Sequence, residues 1–204
     1  MPKGTTKRRP VTLARLRDAA LEAFAELGFH SASIEDICRR AGYSRGAFYS
    51  NFKNRDELFF ALFDAHAQRV VDRVAAAAGD IERGNLSVER IARILAYVDA
   101  GERDWYLVTT EFTLYAMRNA EAARALAEHD ARVRTTVADL MARLLNQAGR
   151  TPKVDLEQLA RMAIAMREGA LAQSFIDPQR LPPGELEQDF LELLLHAVTS
   201  EIDE

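Results

Sequence analysis

Between Gly42 and Leu58 the chain reads GYSRGAFYSNFKNRDEL, a window that sets three cations, Arg45, Lys53 and Arg55, among small residues and the rings of Phe48, Tyr49 and Phe52. A guanidinium at Arg45 offers the fork of donors that fits the O6/N7 edge of a guanine, and Gly46 and Ala47 beside it add little bulk to hold a backbone away. Tyr49 offers an O–H to a phosphate, and Ser50 and Asn51 supply short hydrogen-bonding groups on the same stretch. Lys53 and Arg55 are suited to grip a phosphate, which adds affinity rather than sequence preference. Ser33, Ser44 and Asn54 each stand where a helix can begin, and a helix start exposes unpaired N–H groups and a positive dipole end, a ready phosphate site. Phe48 and Phe52 read as core residues holding this segment in place rather than as base-stacking rings.

Charge is divided along the chain in the way such chemistry needs. Over 204 residues the formal net charge is -4, yet residues 1–57 carry eleven Lys and Arg against seven Asp and Glu, leaving the remaining residues with 16 against 24. A basic head on an acidic body points to a polyanionic partner for the head alone. Apolar residues at 48% and charged residues at 28% are ordinary for a globular chain, so neither disorder nor a fibrous class is suggested. No apolar run approaches the roughly 18–20 residues of a membrane span, and the basic N-terminus has no apolar segment behind it. A cytoplasmic protein without a membrane partner is expected. Cys38 is the only cysteine, which rules out an internal disulfide and a multi-cysteine zinc site.

The elements that position the window read as helices throughout. Apolar residues recur at three and four, strand-like alternation is absent, and the prolines fall near expected ends. The expected fold class is all-α. A first helix carries Leu13, Leu16, Ala20, Phe24 and Leu27 on one face, with Thr12 as N-cap and Gly28 as the stop. A second runs from the Ser33 cap, with Asp36 three residues on, to Gly42, and places Cys38 on its apolar side as a packed residue. A third extends from Ser44 to about Phe52. A fourth starts at Asn54 and Glu57 and continues to Gly79, long enough to serve as a lever between head and body. Beyond Gly84 helices are expected at about 87–100, 104–118, 120–147, 155–176 and 185–199, with breaks at Gly101, Gly149–Pro152 and Asp177–Pro183.

Two short helices joined at Gly42-Tyr43 form the outline of a helix-turn-helix, whose second helix enters the major groove of DNA. The Ser33-Ile34-Glu35-Asp36-Ile37 opening, the Ala41-Gly42 turn, Ser44-Arg45-Gly46, Phe48-Tyr49, Phe52-Lys53-Asn54-Arg55 and Glu57-Leu58 together resemble the signature of the TetR family of bacterial transcription regulators. Asn51 departs from the histidine that many members carry there. The resemblance is strong over the first quarter of the chain, and beyond it rests on length and helical pattern. It implies a DNA-binding head over residues 1–57, a body over 58–204 that takes a small effector, and a homodimer formed through the body.

In the body, Trp105, Val108, Phe112 and Tyr115 share one helix face, and with Met162 and Met166 they offer the aromatic and flexible apolar surface from which ligand pockets are built. A plain core shows the same stripe. Glu111 beside it could meet a cationic effector, pair with Arg118 or face solvent. Leu186, Phe190, Leu193 and Leu194 make the last helix strongly apolar, so it needs a partner. With Leu171 and Phe175 it could build a four-helix interface about a two-fold axis, or dock on the chain's own body. His66, His129 and His196 show no metal-ligand spacing, and no cofactor is implied. No G-x-G, HExxH or GxSxG occurs, which sets an enzyme aside. The expected function is a sequence-specific, DNA-binding regulator, a repressor released from a double-stranded operator by a small molecule. The alternative is a helix-turn-helix module that needs no effector.

Overall fold

The computed structural model describes residues 8–81 and 85–202; Lys3 and Lys7 of the basic head and the break at Gly84 lie outside them. The chain is helical as expected. Its elements are α1 (Arg8–Leu27), α2 (Ile34–Ala41), α3 (Arg45–Tyr49), α4 (Arg55–Gly79), α5 (Val88–Ala96), α6 (Glu102–Arg118), α7 (Ala120–Gln147), β1 (Arg150–Pro152), α8 (Leu156–Ile176), α9 (Glu185–Val198) and β2 (Thr199–Glu201). They form two compact units. One holds the chain up to His66 together with Asp104–Arg124, and the other holds Ala67–Arg103 with the chain from Ala125 onward.

In the first unit, α1 starts at Arg8 rather than after a Thr12 cap, because Pro10 fits within a first turn, where its missing N–H has no bond to lose. Leu16, Ala20 and Phe24 on α1, Ile37 and Cys38 on α2, Phe48 on α3 and Leu58 and Phe59 on α4 are buried together with Val108 and Phe112 of α6. Phe48 and Phe52 are thus core residues, with ring centroids 5.7 Å apart. Burial pushes the Cys38 thiol up, in keeping with a packed side chain. Caps shape this unit. Ser33 and Asp36 form a reciprocal capping box at the start of α2. Gly42 ends α2 at φ 71°, a left-handed conformation that glycine adopts without a Cβ penalty. Asn54 Oδ1 accepts from Glu57 N at 2.8 Å at the start of α4.

Helix α3 is shorter than expected, ending at Tyr49 instead of about Phe52. The reason is local competition. The Ser50 hydroxyl donates to Gly46 O and the Asn51 amide donates to Ala47 O, both at 2.7 Å, so side chains hold the last carbonyls of the helix.

The second unit packs the far half of α4, α5, α7, α8 and α9 around Val74, Ile91, Met141, Leu144, Leu145 and Leu195. Helix α7 keeps its expected bounds, its first turn opened by Asn119 Oδ1, which accepts from the N–H groups of Glu121 and Ala122. Helix α5 stops at Ala96, not near residue 100, and α6 begins at Glu102. Between them Asp99 turns the chain through a 2.9 Å bond from Gly101 N, while long-range donors draw out Tyr97. Arg73 reaches Tyr97 O at 3.4 Å and covers its ring, and Arg167 donates to Leu95 O and Tyr97 O.

Arg167 is also the centre of a buried charge cluster. Its guanidinium meets Glu102 at 2.9 Å and lies 3.8 Å from Glu187, carboxylates only 4% and 1% exposed. Desolvation holds the Glu187 carboxyl above its ordinary value, against the pull of its backbone and of Arg167.

Sequence reading missed a two-stranded antiparallel sheet. Arg150 pairs with Glu201, Thr151 with Ser200 and Pro152 with Thr199. Arg150 donates to the Thr199 hydroxyl at 3.0 Å, and that hydroxyl donates to Leu195 O. Three-residue strands are too short to show an alternating pattern.

Candidate nucleic-acid interface

The surface opened by the α2–α3 turn carries the groups named from sequence. Gly42, Ser44, Arg45, Gly46, Tyr49, Ser50 and Lys53 are exposed, and Ala47 and Asn51 are partly so. Behind them Phe48, fully buried, fixes the roll of α3, because a five-residue helix with one ring in the core has one face left to present. Ser44 accepts from Ala47 N at 3.2 Å, so the first turn of α3 is held open by its own cap.

Arg45 is organised before any partner arrives. Its Nη1 lies 2.5 Å from Oε1 of Glu35 on α2, and its guanidinium carbon stands 5.9 Å from the centre of the Tyr49 ring. The Tyr49 hydroxyl and the Glu35 carboxylate hold the guanidinium above its already high ordinary value, so it carries its charge throughout the accessible pH range. Both Arg45 and Glu35 remain more than half exposed. Sequence reading passed over Glu35, because the pair spans the turn between two helices and leaves no helical spacing to detect. Arg39 and Arg40 lie on the last turn of α2, the first paired with Asp36 and the second 2.6 Å from Glu26.

Arg55 is placed differently from the other cations. Its Nη1 donates to the carbonyls of Phe29, His30 and Ala32 at 2.8–2.9 Å, and its guanidinium covers the Phe29 ring at 5.2 Å. It therefore fixes the turn that carries α1 into Ser33 and α2. Ser33 in turn spends its side chain on the capping box, accepting from Asp36 N at 3.0 Å. The same turn is held from α6. Glu111 Oε2 accepts from Phe29 N at 2.6 Å, a use of this carboxylate that its spacing did not suggest, and the Phe29 ring meets Phe112 edge-on at 5.0 Å.

The aromatic stripe of α6 is packed. Trp105, Val108 and Phe112 are buried and Tyr115 is half-buried. Phe112 stacks on Phe59 at 3.8 Å, and Trp105 stacks on His66 at 4.3 Å. Met162 and Met166 belong to the second unit, where Met162 is 55% exposed on α8. On α9, Phe190 and Leu193 are exposed while Leu186 and Leu194 are partly covered; on α8, Leu171 is buried and Phe175 is half-buried. Ile176, at 85% exposure, is an apolar surface residue that sequence reading did not select. His196 lies with Glu89 and Glu192, their ligand-type atoms all within 4.8 Å of one another, an arrangement spread over two helices and invisible to spacing along one.

Residues 16–62 match the model of the bacterial regulatory proteins of the tetR family, and residues 87–199 match the C-terminal model of BetI-type transcriptional repressors. The chain belongs to the TetR family. This TetR-family chain is 30% identical over 184 residues to an HTH-type transcriptional repressor of Mycobacterium tuberculosis, covering 89% of this chain and 92% of that one. It is 28% identical over 161 residues to the HTH-type transcriptional regulator UidR of Escherichia coli, covering 79% and 80%. The transcriptional regulator FadR of Bacillus subtilis, solved in complex with stearoyl-CoA, shares the fold with a TM-score of 0.66 at 19% identity, covering 91% of this chain and 98% of that one. As a TetR-family member the chain is a sequence-specific DNA-binding transcriptional regulator. Among its described residues no helix is long and apolar enough to cross a membrane.

Proposed function

We propose that a homodimer of this chain binds one double-stranded operator as a repressor and is released from it by a small-molecule effector. The head, residues 1–57, reads DNA, and residues 58–204 serve effector binding and dimerisation. The observation that carries this reading is the exposed face of α3, which presents Arg45 with Tyr49, Ser50 and Asn51 beside it, the Ser44 helix start and the exposed Lys53 ammonium; on this reading Arg45 reads a guanine while Ser44 and Lys53 meet phosphate. Arg55 enters as a positioning residue, holding the turn from which α2 and the Ser33 N-terminus are aimed. Two heads about 34–36 Å apart would occupy successive major grooves.

Dimerisation is supported by the outward apolar face of α8 and α9. Met162 and Ile176 on α8 and Phe190 and Leu193 on α9 are all exposed, and Gly169 on α8 has open space where a Cβ would stand, so a second helix could approach closely. Effector coupling is supported by the bond from Phe29 to Glu111. A ligand that displaces the Trp105–Tyr115 face of α6 pulls on the turn leading into α2, and α4 is an unbroken 25-residue helix starting beside α3. Effector and DNA then oppose each other reciprocally. One observation favours a second reading, a DNA-binding module without an effector: the ring stack of Phe59 and Phe112 leaves no gap at that point for a ligand.

Footprinting of the DNA that flanks the chain's own coding region, across a salt series, tests the first part. Two protected half-sites about one helical turn apart, weakening steeply with salt, are expected. Loss of footprint on adding members of a small-molecule library separates the two readings, since the effector-free module is displaced by none of them. Leu193→Glu should give monomers in sedimentation and lose the paired footprint.

A further inference from the structure

We infer that Glu35 sets the sequence specificity of the head by holding Arg45, a role that rests on the DNA contact proposed above for Arg45. The pair is made between elements: Glu35 lies in the first turn of α2 and Arg45 is the first residue of α3, and 2.5 Å separates their charged atoms. The two elements are rigidly related, α2 by its capping box and left-handed Gly42, α3 by the buried Phe48 ring. The Glu35 carboxylate takes one terminal nitrogen of the guanidinium, whose carbon stands 5.9 Å from the centre of the Tyr49 ring, which leaves the remaining donors to face a base edge.

Two consequences follow from charge. An arginine already neutralised by a neighbour gains little from a phosphate, because leaving Glu35 would expose a bare carboxylate to a polyanion. A guanine edge suits it better, since its two acceptors can be met by the remaining donors without breaking the pair. Glu35 thus lowers affinity for any duplex and raises the difference between the right base and the wrong one, which is selectivity built from repulsion as well as attraction. Other charges nearby are otherwise engaged: Asp36 is held below its ordinary value by Ser33 and Arg39, and Arg40 pairs with Glu26.

The experiment selects binding sites from a randomised duplex library with the wild type, Glu35→Gln and Glu35→Asp, and measures the affinity of each for calf-thymus DNA across a salt series. Glu35 is half exposed and stands outside the capping box, so all three proteins should fold with only slightly shifted melting curves, and a change in site preference reads recognition. For Glu35→Gln we expect calf-thymus DNA to bind roughly 3- to 10-fold tighter, with a salt slope steeper by about one, and one position of the selected motif to lose its preference. For Glu35→Asp, with the charge kept and the reach shortened, calf-thymus affinity should stay near wild type while the same position weakens. A Glu35→Gln protein that selects the wild-type motif at every position with unchanged calf-thymus affinity, or that loses affinity for both DNAs equally, would overturn the inference. A wild type that selects no motif would overturn the DNA contact of Arg45 itself, and the inference with it.

Discussion

Arg45 and Arg167 make the same kind of pair in two regions that treat charge in opposite ways. Arg45 meets Glu35 at 2.5 Å on a surface where both side chains are more than half exposed. Arg167 meets Glu102 at 2.9 Å and Glu187 at 3.8 Å where the carboxylates are almost wholly covered. In water the first pair is worth about 0–1 kcal/mol to folding, so its value lies in what it presents to a partner. Breaking the second would strand two carboxylates away from water, so its value lies in the fold. The first unit keeps its chemistry on the outside, and the second spends it on joining the α5–α6 connection to α8 and α9.

That contrast can be broken most directly at its buried end. Arg167→Met should destabilise the protein by about 3–5 kcal/mol in urea unfolding, because Glu102 and Glu187 lose their shared cation. Arg55→Ala comes next. Loss of three charge-assisted bonds to carbonyls and of the contact with Phe29 should cost about 2–3 kcal/mol and weaken binding to all DNA alike; because one terminal nitrogen makes all three bonds, Arg55→Lys should restore part of the loss but not the guanidinium's cover of the Phe29 ring. Arg45→Ala should move stability by less than about 0.5 kcal/mol, yet cost about 1–3 kcal/mol in binding to the selected motif, lost at one base pair; melting and a base-by-base affinity profile separate the two.

The smallest effect concerns Glu89. Its carboxyl is held down at about 2 by the Ser87 hydroxyl, by a backbone N–H and by His196, 3.2 Å away. Since the folded value lies below the ordinary 4.5, the contribution is complete above that value and is lost as the pH falls toward 2. Glu89→Gln should flatten the pH dependence of stability between those limits by no more than about 1 kcal/mol, because the pair is half exposed.

What the sequence displayed and what it concealed divide along range. The Ser33 capping box, the Gly42 stop and the bounds of α7 are written in residues three or four apart, and each is found where local chemistry puts it. Arg55 could be read as a cation but not as a clamp, because its acceptors are backbone carbonyls 23 to 26 positions away and carry no residue identity. The end of α5 was hidden for a similar reason: Tyr97 leaves the helix toward Arg73 and Arg167, and neither is nearby in sequence. The face of α3 was legible as a set of groups, while the hold of Glu35 on Arg45 appears only once the turn is folded.

The pairing of β1 with β2 gives the end of the chain a mechanical role. Because residue 150 is joined to residue 201, α8 and α9 lie within a closed lariat whose two ends must part before either helix can swing away. The entropic cost of closing a loop grows slowly with its length, each doubling adding only about 0.6 kcal/mol, so the length of this one is a minor part of what the strand pairing and the packing of α8 and α9 must offset. The outward apolar face of those helices is therefore carried on a tied strap, and a clip after Val198 would be expected to let it fray from the tail inward.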